Sequence, residues 1–526
     1  MSLEDAAKEA AERILAGDVP SAAALRRLKL ELCGKHRVPV LRNSQILLAI
    51  PEKRRTREIV RLLRVRGTRT ISGVTPIAVM TPPKGSCPYH CTYCPTSDSA
   101  PKSYTGMEPS AMRAIQNGYD PFLIVRNRIA HLEAIGHDTS KCELIFQGGT
   151  YNARAKEEQE LLVKRALDAM NETESASLEQ ALALNETAPH RAVGITFETR
   201  PDWCTEEHVD EFLRMGATRI ELGVQTLDED VLRRVRRGHG VAEVVAATRV
   251  LKDSALKVLY HMMPGLHSTA EKDEEYFRTL FSDQRFMPDM LKIYPLLVLP
   301  GTEIYEEWKR GEIRPYVAEE AAEVIANASR HIPRWCRVMR INRDIPSTLV
   351  AAGVRKSNLR QLVEEAMARK GTKCECIRCR EVGIVSLKKG IEPDHSSAEL
   401  RRIDYTASGG KEIFLSLDEP ELDALFGFVR LRIPGNPHRS EIGPGTVLIR
   451  ELHVYGYAVG IGEKAADSQS QHRGFGERLL SEAERIAREE FGGKKSIVIA
   501  GAGAKPYYRR LGYTDDGPYL SKELRG

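Results

Sequence analysis

Cys87-Pro-Tyr-His-Cys91-Thr-Tyr-Cys94 comes a few residues after the apolar run Pro76-Ile-Ala-Val-Met80. A short apolar run bounded by turn residues predicts a buried strand. Five more such runs follow, at 143–146, 193–197, 219–224, 258–261 and 291–294, with helical stretches between them. Strand then helix, repeated, predicts an α/β fold over residues 76–345 with a parallel sheet closed or partly closed as a barrel. Polar residues at the strand ends would then face a site. Three cysteines spaced C-x3-C-x2-C on the loop after the first strand can meet at one cluster, leaving the fourth iron of a 4Fe-4S cluster open. Zinc is the competing metal, but no fourth cysteine or histidine pair follows at finger spacing.

The remaining composition narrows the class. The chain has 526 residues, 42% hydrophobic and 29% charged, with a formal net charge of +5 and 10 cysteines. At ~100–200 residues per domain this predicts two to four units. No run approaches the ~20 apolar residues of a membrane span, and Met1-Ser-Leu-Glu-Asp5 lacks a signal-peptide profile. A cytoplasmic protein without membrane partners is the expectation. In that reducing setting closely spaced cysteines point to metal or redox chemistry rather than disulfides. Cys33, Cys142, Cys204 and Cys336 are isolated and are expected as small buried residues.

The net charge is uneven. Residues 1–75 hold 16 Lys plus Arg against 8 Asp plus Glu, a balance of +8, so the rest of the chain carries −3. This predicts a helical basic N-terminal region. In residues 53–66, KRRTREIVRLLRVR, a helical turn of ~100° per residue puts Lys53, Arg54, Arg57, Arg61 and Arg64 on one arc and Ile59, Val60, Leu63 and Val65 on another. Such a row of cations suits a phosphate backbone, and equally suits a solvated charged face.

After a connector at 346–400 the pattern changes at 401–526 to adjacent strands (412–417, 425–433 and 447–455), a helix and a further strand at 496–500, an α+β unit. Gln471-His-Arg473-Gly474-Phe475-Gly476 precedes that helix, whose inner face carries Leu479, Leu480, Ala483, Ile486 and Ala487. Q-x-x-G-x-G at a strand-to-helix junction offers backbone N–H groups to a pyrophosphate. In the connector, Cys374-Glu-Cys376-Ile-Arg-Cys379 can supply three ligands to zinc; unligated thiols and a second iron cluster are the alternatives.

The cysteine loop resembles the signature of the radical SAM superfamily, in which the open iron chelates S-adenosylmethionine and delivers the electron that cleaves it to a 5'-deoxyadenosyl radical. Gln147-Gly148-Gly149-Thr150 is similar to that superfamily's glycine pair near the methionine amino group. Gln471 to Gly476 resembles the acetyl-CoA loop of the GNAT acetyltransferases. The two motifs on one chain resemble the elongator catalytic-subunit family in its stand-alone archaeal or bacterial form, and further blocks extend the likeness, among them Tyr260-His-Met-Met-Pro264, Leu291-Lys-Ile-Tyr-Pro295 and Arg450-Glu-Leu-His-Val-Tyr-Gly456.

That resemblance implies a tRNA-modifying enzyme, with tRNA as partner and other elongator-type subunits where they are encoded. It would form 5-carboxymethyluridine at the wobble position: the SAM-derived radical abstracts hydrogen from the acetyl methyl of acetyl-CoA, the carbon radical adds to C-5 of uridine, and hydrolysis of the thioester releases the product. It implies Cys87, Cys91 and Cys94 as cluster ligands and Gly148, Gly149 and Glu198 as SAM contacts. Acetyl-CoA would lie against Glu451, Leu452, His453, Val454, Phe475, Gly476, Glu477, Tyr507 and Tyr508, with Lys141 reaching it from the other domain. Lys292 and His261, at strand ends, are candidates to touch the reacting groups, together with Tyr508. The competing function is a protein lysine acetyltransferase with a structural iron-sulfur cluster.

Overall fold

The computed structural model describes residues 2–65, 68, 70–85, 87–456 and 474–524, apart from the side chains of 52 and 57. Two seven-stranded sheets dominate it. The first is parallel and runs in chain order: β1 (Thr75–Met80), β2 (Lys141–Gln147), β3 (Arg191–Thr199), β4 (Arg219–Gln225), β5 (Lys257–Met262), β6 (Met290–Ile293) and β7 (Arg337–Ile341). Helices cross between successive strands, as parallel pairing requires. The order is linear, so β1 and β7 are free edges and the sheet is a half-barrel.

Period-two alternation sorts the strand residues. Ile77, Val79, Leu144, Phe146, Ile195, Phe197, Ile220, Leu222 and Val258 face outward into one core with the helices. Phe146 and Phe197 stack there at 5.2 Å, and Phe197 stacks on Phe212 at 5.1 Å. The other set points inward and is polar: Glu143, Gln147, Arg219, Glu221, Lys257 and Lys292 line the interior. The seventh strand, Arg-Val-Met-Arg-Ile, was not among the six predicted, because two arginines interrupt its apolar pattern.

The second sheet holds β8 (Glu399–Ala407), β9 (Gly410–Glu419), β10 (Ala424–Ile433), β11 (Thr446–Val454), β12 (Lys495–Val498), β13 (Thr514–Asp516) and β14 (Tyr519–Glu523), in the order β13-β14-β12-β11-β10-β9-β8. β8 to β11 form an antiparallel meander, and β12 pairs with β11 in parallel. That pairing ends at Ile449↔Val498 while β11 continues to Val454, so the two strands part. The helix Phe475–Phe491 packs with Leu479, Leu480, Ala483, Ile486 and Ala487 buried, the predicted face.

A buried ionic cluster joins the sheets. Arg450 of β11 donates to both oxygens of Asp289, at 2.9 and 2.6 Å, and to the Leu256 carbonyl at 2.8 Å. Arg432 of β10 bonds Asp253 at 2.8 Å and Glu412 at 3.0 Å, and Lys252 lies 3.2 Å from Asp289. Asp253, Asp289 and Lys252 belong to the half-barrel. Gly501 and Gly503 then press on Val193 and Arg191 so closely that a Cβ at either would overlap them.

The N-terminal helices α1 (Leu3–Leu15), α2 (Ala22–His36), α3 (Asn43–Ala49) and α4 (Arg57–Leu63) enclose their own core of Ala10, Ile14, Leu28, Leu32, Ile46, Leu47 and Leu63. The single helix expected over 53–66 is corrected here. Glu52–Arg54 is a separate 3-10 turn, and α4 begins only after Thr56, whose hydroxyl caps Ile59 N at 3.5 Å. Arg64 lies past the helix end, with Nε donating to Gly136 O at 2.8 Å. Lys53, Arg54, Arg61 and Arg64 therefore form no continuous helical row; the Arg57 side chain lies outside the described residues. Among the described residues no helix is long and apolar enough to cross a membrane.

Candidate active site

The loop carrying Cys87, Cys91 and Cys94 lies over the C-terminal ends of the strands. Thr150 Oγ1 donates to Cys87 Sγ at 3.3 Å, and Arg237 Nη1 to Cys91 Sγ at 3.7 Å. Gly148, at φ +140°, has its Cα under Thr81, where a Cβ would overlap the hydroxyl, so the strand end and the cysteine loop meet only through glycine. Burial and the neighbouring Cys91 sulfur push the Cys94 thiol up to about 12, so a metal's charge is what would ionise it. The three sulfurs do not all lie within 4.8 Å of one another, unlike those of Cys374, Cys376 and Cys379. Donors spread across separate irons suit a cluster better than a single ion. Around the loop Tyr93 Oη, Gln147 Oε1, Arg200 Nη1 and Arg237 Nε are buried without a protein partner among the described residues. This donor set fits a 4Fe-4S cluster with a polar ligand beside it.

Inside the strand ends a charged group follows. Lys292 Nζ donates to Glu221 and stands 3.5 Å from Glu198. His261 Nε2 is 2.9 Å from Glu221 Oε2, Tyr104 donates to Glu198 at 2.8 Å, and Gln147 Nε2 to Glu198 at 3.3 Å. Burial alone would disfavour an ionised Glu221, but the Lys292 ammonium, the His261 hydrogen bond and Arg219 hold its carboxyl well below the usual range. Lys292 is held well above its ordinary value: burial opposes the charge, and Glu221 outweighs it. Glu198, Glu221 and His261 could present three ligand atoms to a metal, yet the cation already between these carboxylates is Lys292.

The polar interior continues from Gln147, Glu221 and Lys292 through Glu143, Arg219 and Lys257 to Glu451, His453 and Tyr455 of the second sheet. Thus β11, where it parts from β12, closes the far end of the half-barrel. Arg430 Nε holds Glu451 at 2.9 Å, His453 packs on Tyr455 at 4.3 Å between ring centres, and Tyr455 Oη accepts from Arg337 at 2.7 Å. Lys141 opens β2 opposite Arg191, the residue that Gly503 touches; burial lowers its pKa.

Gly474, at φ +79°, caps the helix Phe475–Phe491, whose first N–H groups have no intrahelical acceptor. Gly476 lies under the hydroxyl of Tyr507, where a Cβ would come within 2.7 Å. Tyr507 packs edge-on against Tyr508 at 5.2 Å; burial pushes its phenol up to about 12, and that hydroxyl has no partner among the described residues. A helix N-terminus beside parted strands can hold a pyrophosphate and a thioester arm. Gln471 and Arg473 lie outside the described residues.

Cys374, Cys376 and Cys379 have their sulfurs mutually within 4.8 Å, close to the ~3.8 Å that tetrahedral Zn–S bonds of ~2.3 Å impose. Hydrogen bonds from Cys374 and Cys379 hold the Cys376 thiol well below its ordinary value. No fourth His, Cys, Asp or Glu joins this group among the described residues.

Glu221, Arg219, Glu143, Tyr104 and Arg237 were not singled out from sequence. A signal existed for two of them: in Arg-Ile-Glu-Leu-Gly-Val-Gln the charges of Arg219 and Glu221 stand two places apart, on one face of a buried strand.

Comparison with known proteins follows the same division. The Radical SAM superfamily matches residues 81–280, the Radical_SAM C-terminal domain 288–369 and the Acetyltransferase (GNAT) family 386–513. The tRNA uridine(34) acetyltransferase of Methanocaldococcus infernus is 50% identical over 489 residues, 92% of this chain and 91% of the relative. Elongator complex protein 3 of Schizosaccharomyces pombe is 42% identical over 95% of this chain and 94% of its own. The solved structure of the archaeal Methanocaldococcus infernus Elp3 with an N-terminal deletion superposes with a TM-score of 0.78 at 49% identity, covering 86% of this chain and 100% of that one.

Proposed function

The chain belongs to the family of tRNA uridine(34) acetyltransferases and Elongator complex protein 3, and we propose that it builds a carboxymethyl group on C-5 of the wobble uridine of tRNA from acetyl-CoA. The observation that carries this is that the cavity beside the cysteine loop and the polar interior that β11 closes share a wall of Gln147, Glu221 and Arg340. Two chemistries placed on either side of one shared polar wall suit a single substrate. A carbon–carbon bond at an acetyl methyl lies beyond acyl transfer, which works through the carbonyl carbon; a 4Fe-4S cluster with S-adenosylmethionine, when bound, supplies the one-electron chemistry that reaches it.

Cys87, Cys91 and Cys94 would hold the cluster, with Gly148, Gly149 and Glu198 against S-adenosylmethionine. Glu451, Leu452, His453, Val454, Phe475, Gly476, Glu477, Tyr507 and Tyr508 would hold acetyl-CoA, and Lys141 would reach it from the half-barrel. Lys292 and His261 share the Glu221 carboxylate, so this group can hold a proton at His261 Nε2 while the ammonium keeps Glu221 ionised. Cys374, Cys376 and Cys379 would bind a structural zinc. Lys53, Arg54 and Arg61, all exposed, would meet tRNA phosphates.

Anaerobic incubation of the reconstituted protein with tRNA, acetyl-CoA, S-adenosylmethionine and reductant, followed by mass spectrometry of the nucleosides, tests this. Carboxymethyluridine is expected from the native chain and none from Cys91→Ala. Acetylated protein beside unmodified tRNA would overturn the proposal in favour of a lysine acetyltransferase.

A further inference from the structure

We propose that Arg237 sets the reduction potential of the cluster held by Cys87, Cys91 and Cys94, a role that rests on that cluster being present. Arg237 follows the helix Glu229–Arg234 and is 7% exposed. One terminal nitrogen donates to Cys91 Sγ at 3.7 Å, the other to the Gly223 carbonyl at 2.5 Å, and Nε has no partner among the described residues. Its segment grips the cysteine loop: Thr92 N donates to Val235 O at 3.2 Å, and Gly238, at φ +78°, lies so close under the Tyr89 ring that a Cβ would overlap it.

The neighbouring cations are neutralised or do not reach sulfur. Arg200 stacks on Tyr89 at 3.5 Å but pairs with Asp202 at 2.9 Å, Arg236 pairs with Glu303, and Arg343 donates to the Ser103 carbonyl. Among the described residues Arg237 is the one cation whose N–H reaches a cluster-ligand sulfur, and it has no carboxylate partner there. Reduction by a low-potential one-electron donor adds one negative charge to the cluster and makes or breaks no bond. A buried, fixed cation hydrogen-bonded to a ligand sulfur stabilises that added charge more than the oxidised state, so it raises the potential. A guanidinium stays charged at every working pH, so the effect is permanent.

The test is a redox titration of the reconstituted full chain under argon, with dithionite as donor and the electron paramagnetic resonance signal of the reduced cluster as readout, beside iron and sulfide analysis. Arg237→Gln should shift the one-electron equilibrium about tenfold toward the oxidised cluster, a midpoint about 59 mV lower. Arg237→Lys, whose shorter ammonium cannot span Gly223 O and Cys91 Sγ together, should fall by less. Arg236→Gln, an exposed paired cation on the same segment, should not move it. A wild-type midpoint in Arg237→Gln overturns the proposal. If Arg237→Gln takes up no iron, Arg237→Lys decides: a lowered midpoint supports the assignment and a wild-type one overturns it. Wild-type protein that takes up no iron at all would refute the cluster assignment itself, a separate result.

Discussion

Asp289→Asn should loosen the union of the two sheets more than any exposed substitution. Asp289 is fully buried just before β6, accepts from Arg450 at 2.9 and 2.6 Å and from Val258 N at 2.9 Å, and lies 3.2 Å from Lys252 and 3.8 Å from Arg430. Burial opposes its charge, but Arg450, Lys252 and Arg430 hold its carboxyl well below the usual range. Asparagine keeps the shape and removes one anion among these cations. Breaking a buried pair in this way costs about 3–5 kcal/mol. At ~2–4 °C per kcal/mol for a unit of 150–250 residues, the first calorimetric transition should fall by roughly 6–20 °C. The control is Arg233→Ala, whose partner Asp230 is 2.8 Å away with both side chains mostly exposed; such pairs are worth ~0–1 kcal/mol. Because the folded pKa is depressed, the stabilisation is complete above the ordinary carboxyl value of ~3.9 and is lost as pH falls through the folded value. The wild-type transition should therefore weaken below about pH 4 more steeply than that of Asp289→Asn. A variant that melts within ~2 °C of wild type at neutral pH would refute the reasoning.

Tyr508→Ala should weaken acetyl-CoA binding at least tenfold by calorimetry while leaving the cluster's absorption intact. Gly148→Ala must displace Thr81, since a Cβ overlaps its hydroxyl at φ +140°, and should lower S-adenosylmethionine affinity in equilibrium dialysis more than tenfold. Arg54→Ala with Arg61→Ala should weaken tRNA binding and reduce its salt slope by up to ~0.9 per lost phosphate contact on a duplex, read by anisotropy at several salt concentrations. A strong chelator should remove zinc held by Cys374, Cys376 and Cys379 and lower the melting temperature, and Cys376→Ser should contain no zinc by elemental analysis.

Legibility in the sequence followed burial geometry. The six predicted strands of the half-barrel keep apolar residues at every second place, even where Arg219, Glu221 or Lys292 stands beside them. β7 escaped because Arg337 and Arg340 stand in it; Arg337 is tolerated only because Tyr455 at 2.7 Å and Glu381 at 2.8 Å receive it. β8 escaped because it is a sheet edge with most of its residues exposed. The N-terminal helix was overextended because the cationic pattern continues through Thr56, which the structure uses as a cap.

Determined by the sequence alone were the α/β and α+β division, the cysteine triplets and the glycine-rich entry to the helix Phe475–Phe491, since periodicity and spacing are local properties of a chain. Tertiary structure alone decided that Glu221 binds both Lys292 and His261, that β11 closes the half-barrel's far end, that Arg237 reaches Cys91 146 residues away, and that arginines of the second sheet find their anions in the first. A charge acquires its role from what is buried opposite it, and in these cases the partner lies far along the chain.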